Sequence, residues 1–456
     1  MSRAAGRPPT GISSLPAVTL ARRALARETG SGRKPGVRAQ ATSSARGRVL
    51  ALASALCLLP AFATTARAAA AAPPPPAVSA PNAIVMEPST GEVLYARAAD
   101  ARRPIASATK LMTALLTLER LPLSAVVAAA DYRAAPVESQ LGLRTGERMT
   151  VADLLRGLML ESANDAAETL AEGVAGSRGA FVRRMNRHAR QLGLAHTHFA
   201  NPIGLDAGGN YSSARDLARL AARVRRNPFL RRLADRTRAT LESGDRPRTV
   251  RNRNTLVSFG PGWVNGLKTG HTLGAGYVLV GTGTRRGATM VSVVLGTRSE
   301  AARNDDTLQL LRWGLRQFRR RTLVRAGDTA GAVPIRYRRG AELAVVAGST
   351  LRRTVRTDAR VALRDVGVPS EVEGPIAAGT RLGWREVLVG ARRVARVPIE
   401  ASASVPAAGL TTRAKDWFTR PIVLIFALAA LTASVLLARR LMPTRRRATR
   451  SEPEAA

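Results

Sequence analysis

Lysine is almost missing from this chain. Of its 71 basic residues only four are lysine (Lys34, Lys110, Lys268 and Lys415), so arginine serves nearly everywhere that a positive charge is all that is needed. Arginine cannot act as a base, whereas a buried lysine can lose its proton. Lys110 and Lys268, the only two lysines between the leader and residue 400, therefore stand where lysine chemistry is expected. Cysteine is scarcer still. The single Cys57 excludes an intramolecular disulfide and a cysteine metal site. It follows Leu56, where a lipoprotein signal needs a small residue, so no lipid attachment is expected. Of the four histidines, His196 and His198 have no third ligand type nearby, and loop packing rather than metal binding is expected. Acidic residues number only 32, leaving a formal charge of +39. Aromatics at 4%, with no zinc spacing and no RNA-recognition signature, argue against nucleic acid as the partner. The arginines are spread along the chain and read as solvated faces, with attraction to an anionic surface second.

What is present divides the 456 residues into segments. Residues 1–68 are a basic, low-complexity leader ending in the apolar run Val49 to Ala63 and an Ala66-Arg67-Ala68 site, a signal peptide in outline. Its long basic region points to a true start further on, for instance at Val37. A Pro/Ala linker covers 69–81. Ala83 to Glu87, a turn at Pro88-Ser89-Thr90-Gly91, and Glu92 to Ala96 predict a hairpin opening a domain over 82–320. Helical periodicity follows Pro104, recurs from Thr150 to Val174 behind a Thr150/Asp153 capping box, and returns at Leu217, Leu220 and Val224. Strands are predicted over Trp263 to Thr272, Gly276 to Thr282 and Ala288 to Leu295, then an amphipathic helix through Leu308, Leu311, Leu315 and Phe318. Such an order fits an antiparallel sheet with helices packed on it, its first and last elements meeting. Short alternating runs (Glu342 to Ala347, Thr354 to Leu363, Arg385 to Val389, Val394 to Ile399) predict a small all-β domain over 321–400. A juxtamembrane linker over 401–420 precedes the uncharged run 421–438, which spans roughly 27 Å as a helix, enough for a membrane. The arginine-rich tail 439–456 sets the cytoplasmic side, leaving the bulk of the protein outside.

Ser107 and Lys110 are three apart at the start of a helical pattern, so hydroxyl and amine share one face. A neutral amine there can take the hydroxyl proton; the plain alternative is an N-cap and a surface charge. Ser162-Ala163-Asn164 interrupts an apolar helix with polar groups that need partners, or else marks a kink. Ser162 follows Ser107 by 55 positions, and Lys268-Thr269-Gly270 begins 106 positions after Ser162.

In that order, the three motifs resemble those of the active-site serine enzymes that bind penicillin. From about Ala83 to Ile399 the chain resembles the low-molecular-mass D-alanyl-D-alanine carboxypeptidases. Thr197-His198-Phe199, Gly204-Leu205-Asp206, Tyr211 to Asp216, Gly266 to Thr272, Ala275-Gly276-Tyr277 and Pro375 to Thr380 carry the likeness further. The resemblance implies an α+β penicillin-binding, β-lactamase-like transpeptidase fold: an antiparallel sheet with helices on both faces, a helical subdomain, then a β stalk. It implies a cofactor-free, metal-free serine hydrolase that removes the terminal D-alanine of peptidoglycan stem peptides, limits cross-linking and so bears on cell shape, and is acylated by β-lactams. It assigns Ser107 as nucleophile, Lys110 as general base, and Ser162 as proton relay. Asn164 and Lys268 hold substrate and keep the site positive. Backbone N–H groups of Ser107 and His271 form the oxyanion hole, and Thr269, Gly270 and Arg298 complete the substrate site. The best-known members end in an amphipathic surface helix; this chain departs from them with a spanning segment. The loop His198 to Pro202 lacks the glutamate with which class A β-lactamases deacylate, so rapid penicillin turnover is not expected. Cross-link endopeptidase, weak transpeptidase and a non-catalytic wall sensor remain as other readings.

Overall fold

The structure, a computed structural model, describes residues 74–441. The leader and signal peptide with Cys57, the first part of the linker and the tail arginines beyond residue 441 lie outside the described residues.

Strand alternation builds the central layer. Five antiparallel strands lie in the order Glu92–Arg97, Asn82–Glu87, Ala288–Thr297, Gly276–Arg285, Val264–Thr272. The first strand pairs with the last, Ala83 opposite Val294 and Ile84 opposite Val293. Successive side chains leave opposite faces. Ile84, Met86, Val291 and Val293 accordingly join one core with Leu111 and Leu217 of helices Lys110–Arg120 and Ala214–Val224. Ala83, Val85, Met290 and Val294 join the other with Leu310 and Leu311 of helix Glu300–Gln317. Both faces are covered, which is why Asn82–Glu87 is buried throughout.

A helical layer, Val151–Arg156, Asn164–Ala175 and Arg178–Gln191, packs beyond helix Lys110–Arg120. Half of the predicted capping box forms: Thr150 Oγ accepts from the Asp153 N–H at 3.2 Å. The other half is taken by a distant residue. Thr150 N–H donates to Ser243 Oγ at 3.0 Å, and the Asp153 carboxylate accepts from Ser243 instead. The end of the Pro/Ala segment is pinned, since Ser79 and Ala80 N–H both donate to the Asp306 carboxylate.

Strand Phe318–Val324 leaves helix Glu300–Gln317 directly and pairs with Leu351–Arg356. Beyond it a five-stranded antiparallel sheet runs Thr329–Pro334, Glu342–Ala347, Arg392–Ala401, Arg381–Val389, Val361–Val366. The single strand expected over Thr354 to Leu363 is two, because a turn at Thr357-Asp358 separates Leu351–Arg356, which pairs with Phe318–Val324, from Val361–Val366, which pairs with Arg381–Val389. Phe318–Val324 and Thr329–Pro334 carry too few apolar residues for their alternation to show in sequence. Helix Pro421–Leu441, 21 residues with exposed apolar side chains, is long and apolar enough to cross a membrane.

Candidate active site

The serine–lysine pair sits where a short 3-10 turn becomes a helix. Ser107 lies in the turn Ala106–Thr109, and Lys110 opens the helix Lys110–Arg120 with its side chain wholly buried. Ala106 takes the left-handed conformation at φ 46°, which bends the chain so that Ser107 faces a groove. Two glycines let other backbone segments approach this turn. A Cβ on Gly204 would stand 2.1 Å from the Ala106 carbonyl oxygen, and one on Gly270 would stand 2.9 Å from the Ser107 nitrogen. Neither position has room for a side chain.

Ser162 and Asn164 reach the same groove by a break in the helix. The chain leaves a single π-helical turn, Gly157–Glu161, through Ser162 at φ 66° and ψ 30°, and Asn164 starts the next helix. The predicted interruption is therefore a left-handed step, costly for a residue with a Cβ, that turns two polar side chains inward. Lys268 enters from the edge strand Val264–Thr272, only 1% exposed.

These elements bring the three motifs together. Lys110 Nζ lies 3.0 Å from Ser107 Oγ, 2.5 Å from Asn164 Oδ1 and 2.6 Å from the Ile203 carbonyl oxygen. Lys268 Nζ donates to Ser162 Oγ at 2.9 Å and to the Thr269 carbonyl at 3.0 Å. Each lysine thus holds a different residue of the central tripeptide. Ser107, Ser162, Asn164 and His271 line one groove of about 420 Å³.

A family model described as D-alanyl-D-alanine carboxypeptidase matches residues 67–299, half of the chain. The chain belongs to this carboxypeptidase family. It is 30% identical to the D-alanyl-D-alanine carboxypeptidase DacF of Bacillus subtilis over 350 residues, 74% of this chain and 90% of that protein. Penicillin binding protein 5 of Haemophilus influenzae superposes with a TM-score of 0.55 at 28% identity, over 73% of this chain and 99% of that one. A Streptomyces DD-transpeptidase structure matches with a TM-score of 0.50 at 35% identity, over 53% of this chain and 99% of that chain. The fold is that of the penicillin-binding carboxypeptidases, and the helix Pro421–Leu441 is compatible with a membrane anchor.

In this carboxypeptidase the charge state of both lysines is set by where they sit. Burial is the first cause that pushes the Lys110 ammonium well below the ordinary lysine range, and the positive charge of Lys268 is the second. Glu138, Glu168 and Asp165 act against it. Burial also lowers Lys268, to about 7, helped by Arg253 and Arg303.

The remaining expected residues are placed unevenly. His271 is exposed at the groove, its ring 4.1 Å from that of Tyr277, while Thr269 is buried in the edge strand beside Lys268. Arg298 is exposed and is not among the residues lining the groove. His198 hydrogen-bonds the Gly209 carbonyl through Nδ1 at 2.6 Å, as loop packing requires. Among the groove residues that carry no signal in the sequence is Glu138, 26 positions ahead of Asn164, which accepts from Asn164 Nδ2 at 2.5 Å. Nothing in a Pro-Val-Glu stretch without helical or strand periodicity distinguishes such a carboxylate from a solvated one.

The close approach at Gly270 is testable. Gly270→Ala places a methyl 2.9 Å from both the Ser107 nitrogen and the Ala106 Cβ, forcing the edge strand away from the serine turn. D-Alanine release is expected to fall by about 10- to 100-fold through misplacement of the reacting groups, with the melting temperature changed by only a few degrees. A full rate in the variant would show that the strand can yield without cost.

Proposed function

We propose that this protein is a membrane-anchored serine D-alanyl-D-alanine carboxypeptidase that removes the terminal D-alanine from peptidoglycan stem peptides through an acyl-enzyme on Ser107. The reading rests on one observation above all: a fully buried lysine amine 3.0 Å from the Ser107 hydroxyl. A neutral amine has two N–H donors and one lone pair. Its two shorter contacts, to Asn164 and Ile203, use the donors. The lone pair is then left for the Ser107 proton.

Lys110 takes that proton as Ser107 Oγ bonds to the carbonyl carbon of the penultimate D-alanine. The oxyanion that forms is held by the N–H groups of Ser107 and His271, two segments that Gly270 allows to lie side by side. As the C–N bond breaks, Ser162, its hydroxyl held by Lys268, gives its proton to the departing amine and receives in its place the one that Lys110 took from Ser107, which leaves Lys110 neutral again. Water then cleaves the ester. Asn164 holds the substrate amide, and Lys268, Thr269, Gly270 and Arg298 face the terminal carboxylate. A β-lactam enters by the same attack and stays as a stable acyl group. The domain division follows the sequence reading: peptidase, β stalk, and a single-pass helix that leaves the catalytic body on the extracytoplasmic side, exported by the signal peptide. Trimming pentapeptides removes donors for cross-linking, which ties the activity to cell-wall biogenesis and cell shape.

A second reading, acyl transfer to an amine acceptor, draws support from the likeness to the Streptomyces DD-transpeptidase. Product analysis separates the two. The detergent-solubilised chain, given monomeric pentapeptide with and without an amine acceptor, is expected to release D-alanine and leave tetrapeptide in both cases. Accumulation of the acceptor-linked peptide would replace the carboxypeptidase reading, and cleavage of a cross-linked dimer alone would make it an endopeptidase.

A further inference from the structure

Glu138 belongs to none of the three motifs, yet it lines the groove. Its Oε2 accepts from Tyr132 OH at 2.5 Å and from Asn164 Nδ2 at 2.5 Å, and its Oε1 accepts from the Ala135 N–H at 3.0 Å. On the far side of the same amide, Asn164 Oδ1 accepts from Lys110 Nζ. An asparagine amide has one end that only donates and one that only accepts, and a carboxylate only accepts. Glu138 therefore selects the amino end of Asn164 and leaves its oxygen facing the lysine. Turned over, the amide would set oxygen against carboxylate and N–H against N–H.

We propose that Glu138 is a positioning residue for the serine–lysine pair, keying the Asn164 amide so that its oxygen orients the Lys110 amine, and biasing through its negative charge the pH at which that amine becomes free. The inference rests on the assignment of Ser107 and Lys110 made above. The groups that face Lys110 come from three elements: Lys268 on the edge strand, Glu138 on the loop, Asp165 and Glu168 on helix Asn164–Ala175. Glu168 is pushed up to about 7, first by burial and in smaller part by the Glu138 charge, so its own charge changes in this range and at somewhat lower pH in the Glu138 variants. Burial alone would raise Glu138, but hydrogen bonds from Tyr132, Asn164 and Ala135 and the charge of Lys110 outweigh it and hold the carboxyl below its ordinary range. It is thus ionised through the neutral range.

The signs follow. A carboxylate nearby favours the charged amine and raises its pKa. The amine acts when neutral, so the rate rises with pH through the Lys110 pKa. Removing the Glu138 charge moves that acid limb to lower pH.

The experiment uses the full chain in detergent and the acylation rate constant with a fluorescent penicillin, from pH 5 to pH 10. Glu138→Gln keeps an acceptor for Asn164. Its plateau rate is expected within about threefold of the parent, with the acid limb moved down by about one pH unit. Glu138→Ala loses the acceptor as well, and its plateau is expected to fall by about tenfold or more. A Glu138→Gln acid limb superimposed on the parent's overturns the electrostatic part of the inference; a Glu138→Gln plateau as low as that of Glu138→Ala overturns the keying of the amide. Should Glu138→Ala not fold, a Glu138→Gln plateau more than threefold below the parent's overturns the keying. Ser107→Ala is run alongside. Label retained in it would defeat the assignment of the nucleophile, whereas label lost there with an unmoved limb in Glu138→Gln defeats only the role of Glu138.

Discussion

Ser107→Ala is expected to lower D-alanine release by about 10⁴-fold or more and to abolish covalent labelling by penicillin, while leaving the fold intact. The size follows from the loss of a nucleophile in a site whose members act as a unit; removing one such residue costs nearly as much as removing all. The fold survives because Ser107 contributes little to it. Its hydroxyl is bonded to Lys110, and the turn that carries it is held by the buried Ile105, Ala106 and Ala108. The check is mass spectrometry of the penicillin adduct together with a melting curve. An adduct in the variant, at any residue, would overturn the assigned nucleophile.

The second large effect is expected from Lys110→Arg. The charge is retained and the ability to accept a proton is lost, since a guanidinium stays protonated across the working pH range. Acylation should fall by about 10³-fold or more. A planar guanidinium also does not fit a fully buried position whose three oxygen partners surround a single nitrogen. Packing loss and base loss are separated by the parent's pH profile. Because burial and the Lys268 charge hold Lys110 well below its ordinary range, the neutral amine is present at pH values where a surface lysine would still be charged. The parent's kcat/KM is expected to rise with pH through the Lys110 pKa and to fall again as Lys268, at about 7 in the free enzyme, gives up the positive charge that faces the substrate carboxylate. A parent rate that is flat from pH 5 to pH 9 would deny that either lysine titrates in the working enzyme.

Several parts of this arrangement were legible in the residues. Strand alternation in 82–97 and 264–297 and the helical period after Pro104 anticipate the central layers, because both faces of the sheet and one face of each helix must be apolar to be covered. The scarcity of lysine singles out Lys110 and Lys268 independently of any family likeness. Less legible were the arginine-rich strand Phe318–Val324, the turn at Thr357-Asp358, and the completion of the Thr150 cap by Ser243, since each depends on a partner distant in sequence.

By itself the sequence determined which reactive groups exist and in what order, for motif spacing follows from the local geometry of helix and strand. It also determined that a helix long and apolar enough to cross a membrane follows the β region. Tertiary structure alone decided the state of those groups. Ser107 and Lys110 meet through one turn of chain, but the amine is held well below the ordinary lysine range because it is buried and because Lys268 of the edge strand lies close to it. Glu138 enters the same network from an exposed loop. A pKa is set by burial and by charges near in space, and neither is written in the spacing of residues.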